Sequence, residues 1–150
     1  MKAKSLAYSL LSLLIALTMS RADETLSSLD AKVEQSVKTI SASLKEERRE
    51  TSGNRVTRWY EPGIGRLAVS TEVFPGKAEA HATLEKTKLM VTAEPQSIAL
   101  GPKVDAWCWT DATTKACVVV AQKGNVMVQF NGPSNDAVVK VATELFKNMQ

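Results

Sequence analysis

Three short segments with strand character follow one another in the last third of the chain. Residues 104–110, 117–122 and 126–131 are rich in β-branched and aromatic side chains, and the residues between them are polar. Consecutive strands joined by short turns pair in an antiparallel manner. The pattern therefore predicts a three-strand meander. Pro133-Ser134 then introduces an amphipathic helix, with Ser134 as its N-cap.

Both cysteines of the chain, Cys108 and Cys117, lie in this meander. If the first turn is centred on residues 112 and 113, the two cysteines face each other directly. Opposed residues have Cβ atoms about 4.5–5.5 Å apart, close to the roughly 3.5–4.5 Å of a disulfide. The spacing predicts a disulfide that holds the strand register. The alternatives have less support, since a thiolate metal site needs more ligands and redox pairs usually have Cys-x-x-Cys spacing.

The predicted register also assigns each side chain to one face of the sheet. The first face contains Cys108, Cys117, Val119, Ala121, Val126, Val128 and Phe130, and the second contains Trp107, Trp109, Val118, Val120 and Met127. Because both faces are apolar, either helices cover both or one is left as a binding surface. In the second case Trp107 and Trp109 would form an aromatic platform for a ligand or partner.

The first 22 residues have the organisation of a secretory signal peptide. A basic start at residues 1–4 precedes an apolar run at residues 6–19, and Ser20 and Ala22 are the small residues before a cut after Ala22. The run is short for a membrane-spanning helix. We therefore expect a soluble protein without a stable membrane anchor, exported to the periplasm or the medium, where disulfides form.

Cleavage after Ala22 changes the charge balance of the protein. The whole chain has 19 basic and 16 acidic residues. Lys2, Lys4 and Arg21 leave with the peptide and no acidic residue does, so 16 of each sign remain. Proteins that bind nucleic acid need a basic surface. A formally neutral mature chain predicts no nucleic-acid partner.

The mature chain, residues 23–150, has the length of one domain. Apolar residues recur every three or four positions over residues 23–49, which predicts a long N-terminal helix. Two strands, a middle helix and an edge strand within a loop are predicted at residues 55–61, 66–74, 77–88 and 89–104. The fold class is α+β: an antiparallel sheet of about five strands with a long N-terminal helix, a middle helix and a C-terminal amphipathic helix.

A second candidate surface combines arginine with aromatic side chains at Arg58, Trp59 and Tyr60. Such groups together can hold a carboxylate, a phosphate or a sugar. Glu46 and Glu61 lie close in sequence, so a neutralised surface network is the alternative.

No catalytic motif accompanies these residues. The sequence has no Gly-x-Ser-x-Gly, no His-Glu-x-x-His and no phosphate-binding loop. The single histidine, His81, is interpreted as a solvated helix residue. We therefore predict no catalytic residue, no metal ligand and no cofactor.

The order of strands, helix, meander and closing helix over residues 66–149, with a Gly124-Asn125 turn before Val126, resembles secreted PsbP-like and sensor-type bacterial envelope domains. The resemblance implies binding or scaffolding rather than catalysis, and it carries no functional residue. The main hypothesis is a non-catalytic binding or accessory module of the cell envelope, with a protein or small ligand as partner. One alternative is a structural protein that dimerises through residues 23–48. The other is a small secreted hydrolase with His81 as its base.

Overall fold

The computed structural model describes residues 25–61 and 66–149, so the predicted signal peptide lies outside the described residues. In chain order the elements are α1 (Leu26–Ile40), β1 (Lys45–Ser52), β2 (Arg55–Glu61), β3 (Leu67–Val73), α2 (Lys77–Met90), β4 (Gln96–Ser97), β5 (Asp105–Thr110), β6 (Cys117–Lys123), β7 (Val126–Gly132) and α3 (Asn135–Asn148). No helix in this part of the chain has both the length and the hydropathy that crossing a membrane requires.

The strands of the described residues form one antiparallel sheet in the spatial order β1-β2-β3-β7-β6-β5-β4. Two meanders, β1–β3 and β4–β7, meet where β3 pairs with β7. The predicted α+β class and the antiparallel sheet are confirmed, but the sheet has seven strands rather than about five. The predicted edge strand corresponds to β4, which has only two residues.

The N-terminal helix is shorter than predicted. Thr25 caps α1 by accepting a hydrogen bond from the backbone N–H of Ser28 at 3.2 Å, and the helix ends at Ile40. Residues predicted to continue it instead form β1, whose side chains are all exposed. Backbone pairing with β2 stabilises β1 as a strand. Because β1 has no alternation of apolar and polar residues, its sequence does not predict a strand.

A helix of 15 residues spans roughly 22 Å at 1.5 Å per residue. The homodimer prediction for residues 23–48 assumed a helix long enough to extend well beyond the sheet. A helix of this length does not. The charged sequence of β1 also suits an edge strand, because charged side chains discourage pairing with another sheet.

Helices pack on both sides of the sheet. α1 and α3 contact each other and cover one side, here called the inner face, where the larger core lies. α2 contacts β6 and β7 on the other side, the outer face. The smaller core beneath α2 consists of Leu84, Trp109, Val120 and Met127. This arrangement agrees with the prediction that both faces of the meander are apolar.

Candidate functional site

The register between β5 and β6 differs from the prediction by two residues. Cys108 pairs with Val119, and Cys117 pairs with Thr110, so the two cysteines are not directly opposed. The turn is centred one residue later than predicted, on residues 113 and 114, and the backbone N–H of Asp111 donates to the carbonyl of Ala116 at 2.9 Å. A slip of two residues keeps every side chain on its own face. The predicted faces are therefore confirmed although the predicted pairing is wrong.

The two cysteines are free thiols with their sulfurs 3.3 Å apart, so the predicted disulfide is not formed in this structure. Both Sγ atoms lie 3.5 Å from Asn135 Oδ1 at the start of α3. Burial, and secondarily the neighbouring Cys108 thiol, raise the pKa of Cys117 to about 12. A buried thiol with a raised pKa is a poor nucleophile and metal ligand.

We expect the reduced, folded protein to resist thiol alkylation. At about pH 8, a pKa of about 12 leaves only about one Cys117 in ten thousand as thiolate. Labelling by iodoacetamide, followed by mass spectrometry, should be slow in buffer and complete in guanidinium chloride. Rapid labelling of both thiols in the folded state would contradict the buried geometry.

Trp107 and Trp109 lie on the outer face, where α2 covers them unequally. Trp109 is buried against Leu84 in the smaller core, so the prediction of a paired, open platform is wrong. Trp107 is only partly buried. Its indole N–H donates to Asp105 Oδ1 at 2.8 Å, and Lys88 Nζ lies 3.8 Å from its ring centroid.

The predicted group of Arg58, Trp59 and Tyr60 is divided by the alternation of β2. Arg58 and Tyr60 are buried towards the inner face, whereas Trp59 lies on the outer face. There the guanidinium of Arg48 lies 5.0 Å from the Trp59 ring centroid. The three residues therefore do not form one surface, since successive side chains of a strand point to opposite sides.

Arg58 is the centre of an ion-pair network between β2, α1 and β1. Its Nε donates to Asp30 Oδ1 at 2.7 Å, and its Nη2 donates to Asp30 Oδ2 at 2.8 Å. Its Nη1 donates to Glu46. Arg49 also pairs with Asp30. A bidentate pair of this kind holds both groups in one geometry, and it fixes α1 over the inner face.

Tyr60 lies beside this network and lines a cleft of about 460 Å³, here called the Tyr60 cleft. The apolar wall of the cleft consists of Val37, Ala42 and Leu44, and its charged rim consists of Glu34, Lys38, Lys45 and Glu46. The Tyr60 hydroxyl is buried and makes no hydrogen bond of good geometry with the described residues, although the Arg58 guanidinium lies close enough to act on its pKa. An unsatisfied buried polar group costs about 1–3 kcal/mol, so a ligand that bonds to it would recover free energy.

We expect Tyr60 to ionise at unusually high pH. Burial raises the pKa of Tyr60 to about 12, against the opposing effect of the Arg58 charge. A raised pKa in the folded state means that stability is lost as the pH rises from about 10 towards 12. Because the chain has two tyrosines, Tyr8 and Tyr60, tyrosinate absorbance of residues 23–150 reports on Tyr60 alone.

The titration should have its midpoint near pH 12, with circular dichroism recorded in parallel to establish that the protein is still folded. A midpoint close to 10 in the folded protein would show that the hydroxyl is solvated.

Sequence reasoning missed Asp30, Glu34 and Lys38 as members of the site. One signal was present: Asp30 lies within the apolar stripe of α1, between Leu29 and Val33, and it is buried. A carboxylate on the buried stripe of a helix requires a cationic partner in the core. The residue that supplies this partner, Arg58, was identified, but as a surface residue.

Comparisons with known proteins give no family assignment. No protein-family model matches the chain, and no curated protein matches its sequence significantly.

Proposed function

We propose that the chain is an exported, non-catalytic binding module of the cell envelope that takes a small apolar carboxylate in the Tyr60 cleft. Export is supported by the basic, apolar and small-residue segments of residues 1–22. Binding is supported by one observation above all: Tyr60 lines a cleft, and its buried hydroxyl lacks a hydrogen-bond partner among the described residues.

The size and lining of the cleft favour a small ligand with an apolar body. Its volume of about 460 Å³ is within the range of about 300–1,000 Å³ for small-molecule sites. Val37, Ala42 and Leu44 offer apolar contact, and Tyr60 offers one hydroxyl that can donate or accept. A ligand with an apolar body and a single polar end matches this arrangement.

The charges around the cleft favour an anion at that polar end. Lys38 is paired with Glu34 at 2.6 Å, and Glu46 is paired with Arg58. Lys45 forms no ion pair with another residue of the described ranges. Counted together, the cleft and its network have four cations (Lys38, Lys45, Arg49, Arg58) and three carboxylates (Asp30, Glu34, Glu46). The rim itself is balanced, with two lysines and two glutamates, but Lys45 has no ion-pair partner there, so a ligand carboxylate would bind to Lys45.

Export also bears on the cysteine pair. In an oxidising envelope compartment, a thiol oxidant could take up two electrons and two protons from these thiols, whose sulfurs lie 3.3 Å apart, and so form the disulfide between Cys108 and Cys117. The exported protein, analysed without reduction, is expected to be two hydrogens lighter than the reduced chain.

The test is a thermal-shift and calorimetric titration of residues 23–150 with hexanoate and phenylacetate. Hexanamide and phenylacetamide serve as matched neutral ligands that keep the shape and lose the charge. The carboxylates should raise the melting temperature and the amides should not. Equal shifts with acids and amides, or none with any ligand at millimolar concentration, would overturn the proposal.

Two variants test whether the carboxylates bind in the Tyr60 cleft. Lys45→Gln should weaken carboxylate binding by roughly tenfold, the worth of a charged hydrogen bond. Tyr60→Phe should weaken it several-fold while leaving stability unchanged or slightly raised, because the removed hydroxyl has no partner. Lys86→Gln, an exposed lysine on α2, is the control and should bind as the parent does.

A further inference from the structure

Three side chains with metal-binding atoms converge on the outer face, on the opposite side of the sheet from the Tyr60 cleft. His81 and Glu85 lie one turn apart on α2, and Asp105 begins β5. One ligand atom from each residue lies within 4.8 Å of the others. His81 Nδ1 is 3.9 Å from Asp105 Oδ2, which is too far for a hydrogen bond between them.

We propose that His81, Glu85 and Asp105 bind a divalent transition-metal ion of the zinc type. Zinc ions take imidazole nitrogen and carboxylate oxygen at about 2.0–2.2 Å. In a tetrahedral site these bonds place neighbouring ligand atoms about 3.2–3.6 Å apart. The ligand atoms here lie within 4.8 Å of one another, so the side chains must move closer together to bind an ion. His81 and Asp105, whose side chains are 53% and 40% exposed, have room to do so.

The spacing on α2 supports a shared ion. Residues four apart on a helix project from the same side, so His81 and Glu85 present their ligand atoms towards β5 together. The packing of α2 on the sheet brings Asp105 to this pair. The three ligands thus come from two elements whose relative position the smaller core fixes.

Asp105 is oriented by a neighbour that is not itself a ligand. The indole N–H of Trp107 donates to Asp105 Oδ1 at 2.8 Å and leaves Oδ2 facing His81. Carboxylate ligands of metal sites are commonly held by such outer hydrogen bonds, which fix their direction. Trp107 would therefore act as a positioning residue.

A cation already occupies part of this position. Lys88 Nζ lies 3.0 Å and 3.3 Å from the two Glu85 oxygens and above the Trp107 ring. The ammonium is held by the Glu85 carboxylate and the Trp107 ring, and it must move away before an ion binds Glu85. Lys88 is thus a competitor for the site.

The donor set favours zinc-type ions over magnesium or calcium. Imidazole suits zinc, cobalt and nickel, whereas the harder ions prefer all-oxygen sites. Two carboxylates offset the charge of a dication. Three protein ligands leave a fourth position open for water or another small ligand.

The experiment is a calorimetric titration of the untagged chain with Zn²⁺, together with visible spectroscopy of the Co²⁺ form. We expect one ion per chain and cobalt bands of the intensity typical of four-coordinate sites. His81 is the only histidine of the chain, so His81→Ala removes the sole imidazole. It should weaken binding about tenfold or more, and so should Asp105→Asn.

The sharpest outcome concerns Lys88. Lys88→Gln should tighten zinc binding several-fold by removing the competing charge, an effect that nonspecific surface binding would not show. Glu94→Gln, an exposed acidic residue outside the cluster, and Cys117→Ala, a buried thiol, should bind zinc as the parent does. Binding that is absent, or that is unaffected by His81→Ala in a variant with an unchanged circular dichroism spectrum, would overturn the proposal. Carboxylate binding in the Tyr60 cleft is independent of either result.

Discussion

Asp30→Ala is expected to destabilise the protein by about 3–5 kcal/mol, the usual cost of leaving one charge of a buried ion pair without its partner. Arg58 is 5% exposed and Asp30 is 7% exposed, so the pair is largely shielded from solvent in the parent protein. The guanidinium would keep Glu46 but lose the acceptors of its Nε and Nη2 atoms. Chemical denaturation of the parent and variant gives the free energy of unfolding directly.

The matched control for this prediction is an exposed arginine pair in the same sheet. Arg55 donates to Glu72 at 2.6 Å, but the Arg55 side chain is 52% exposed. Exposed pairs contribute about 0–1 kcal/mol, so Arg55→Ala should have a small effect. The double variant Asp30→Ala with Arg58→Met should be more stable than Asp30→Ala alone, since it removes the buried guanidinium and leaves only the more exposed Glu46 and Arg49 without these partners. Equal losses for Asp30→Ala and Arg55→Ala would contradict the buried network.

The pH dependence of stability offers a second readout of the same pair. Burial by itself would raise the pKa of Asp30, but the hydrogen bonds and charges of Arg58 and Arg49 outweigh burial and lower it. A lowered pKa in the folded state means that the pair stabilises the protein above about pH 3.8 and loses this effect as the pH falls further. Asp30→Asn should lack this part of the acid dependence.

Gly132→Ala is expected to destabilise the protein by about 1–3 kcal/mol through overpacking. Gly132 ends β7 where α3 approaches the sheet, and a Cβ at this position would overlap Cγ2 of Val138. Val138 is fully buried and β-branched, so its side chain has little freedom to move aside. The free energy of unfolding, measured by denaturant titration, checks the prediction.

A double-mutant cycle separates this overlap from a general effect of glycine replacement. Val138→Ala alone should destabilise the protein by creating a cavity. Because the two changes affect the same space, Gly132→Ala with Val138→Ala should lose less stability than the sum of the single variants. Strict additivity would show that the two groups do not compete for that space.

The elements of the C-terminal half could be predicted from the sequence because their signals are local. Alternation and turn residues mark β5, β6 and β7, and Ser134 caps α3 by accepting a hydrogen bond from the backbone N–H of Ala137. The register between β5 and β6 was not predictable in this way. The register depends on the turn conformation at Asp111 and Lys115. Lys115 adopts a φ of 61°, and positive φ is uncommon for a residue other than glycine, so the sequence does not predict it.

The candidate site was predictable only in part. Arg58 and Tyr60 were identified, but the same alternation that defines β2 places Trp59 on the opposite face. An open Trp109 was one of two alternatives for this face, and α2 covers it. The amphipathic pattern of α2 is thin, so the sequence does not indicate that this helix packs over the tryptophans.

What the sequence determined by itself is the side of the sheet on which each residue of the meander lies, and this assignment survived a wrong register. Side-chain direction along a strand has a period of two and depends only on neighbouring residues. The tertiary structure alone decided that residues 45–52 are a strand, that Asp30 meets Arg58, and that His81 meets Asp105. These outcomes depend on contacts between residues that are distant along the chain. A local sequence pattern does not predict the free energies of such contacts.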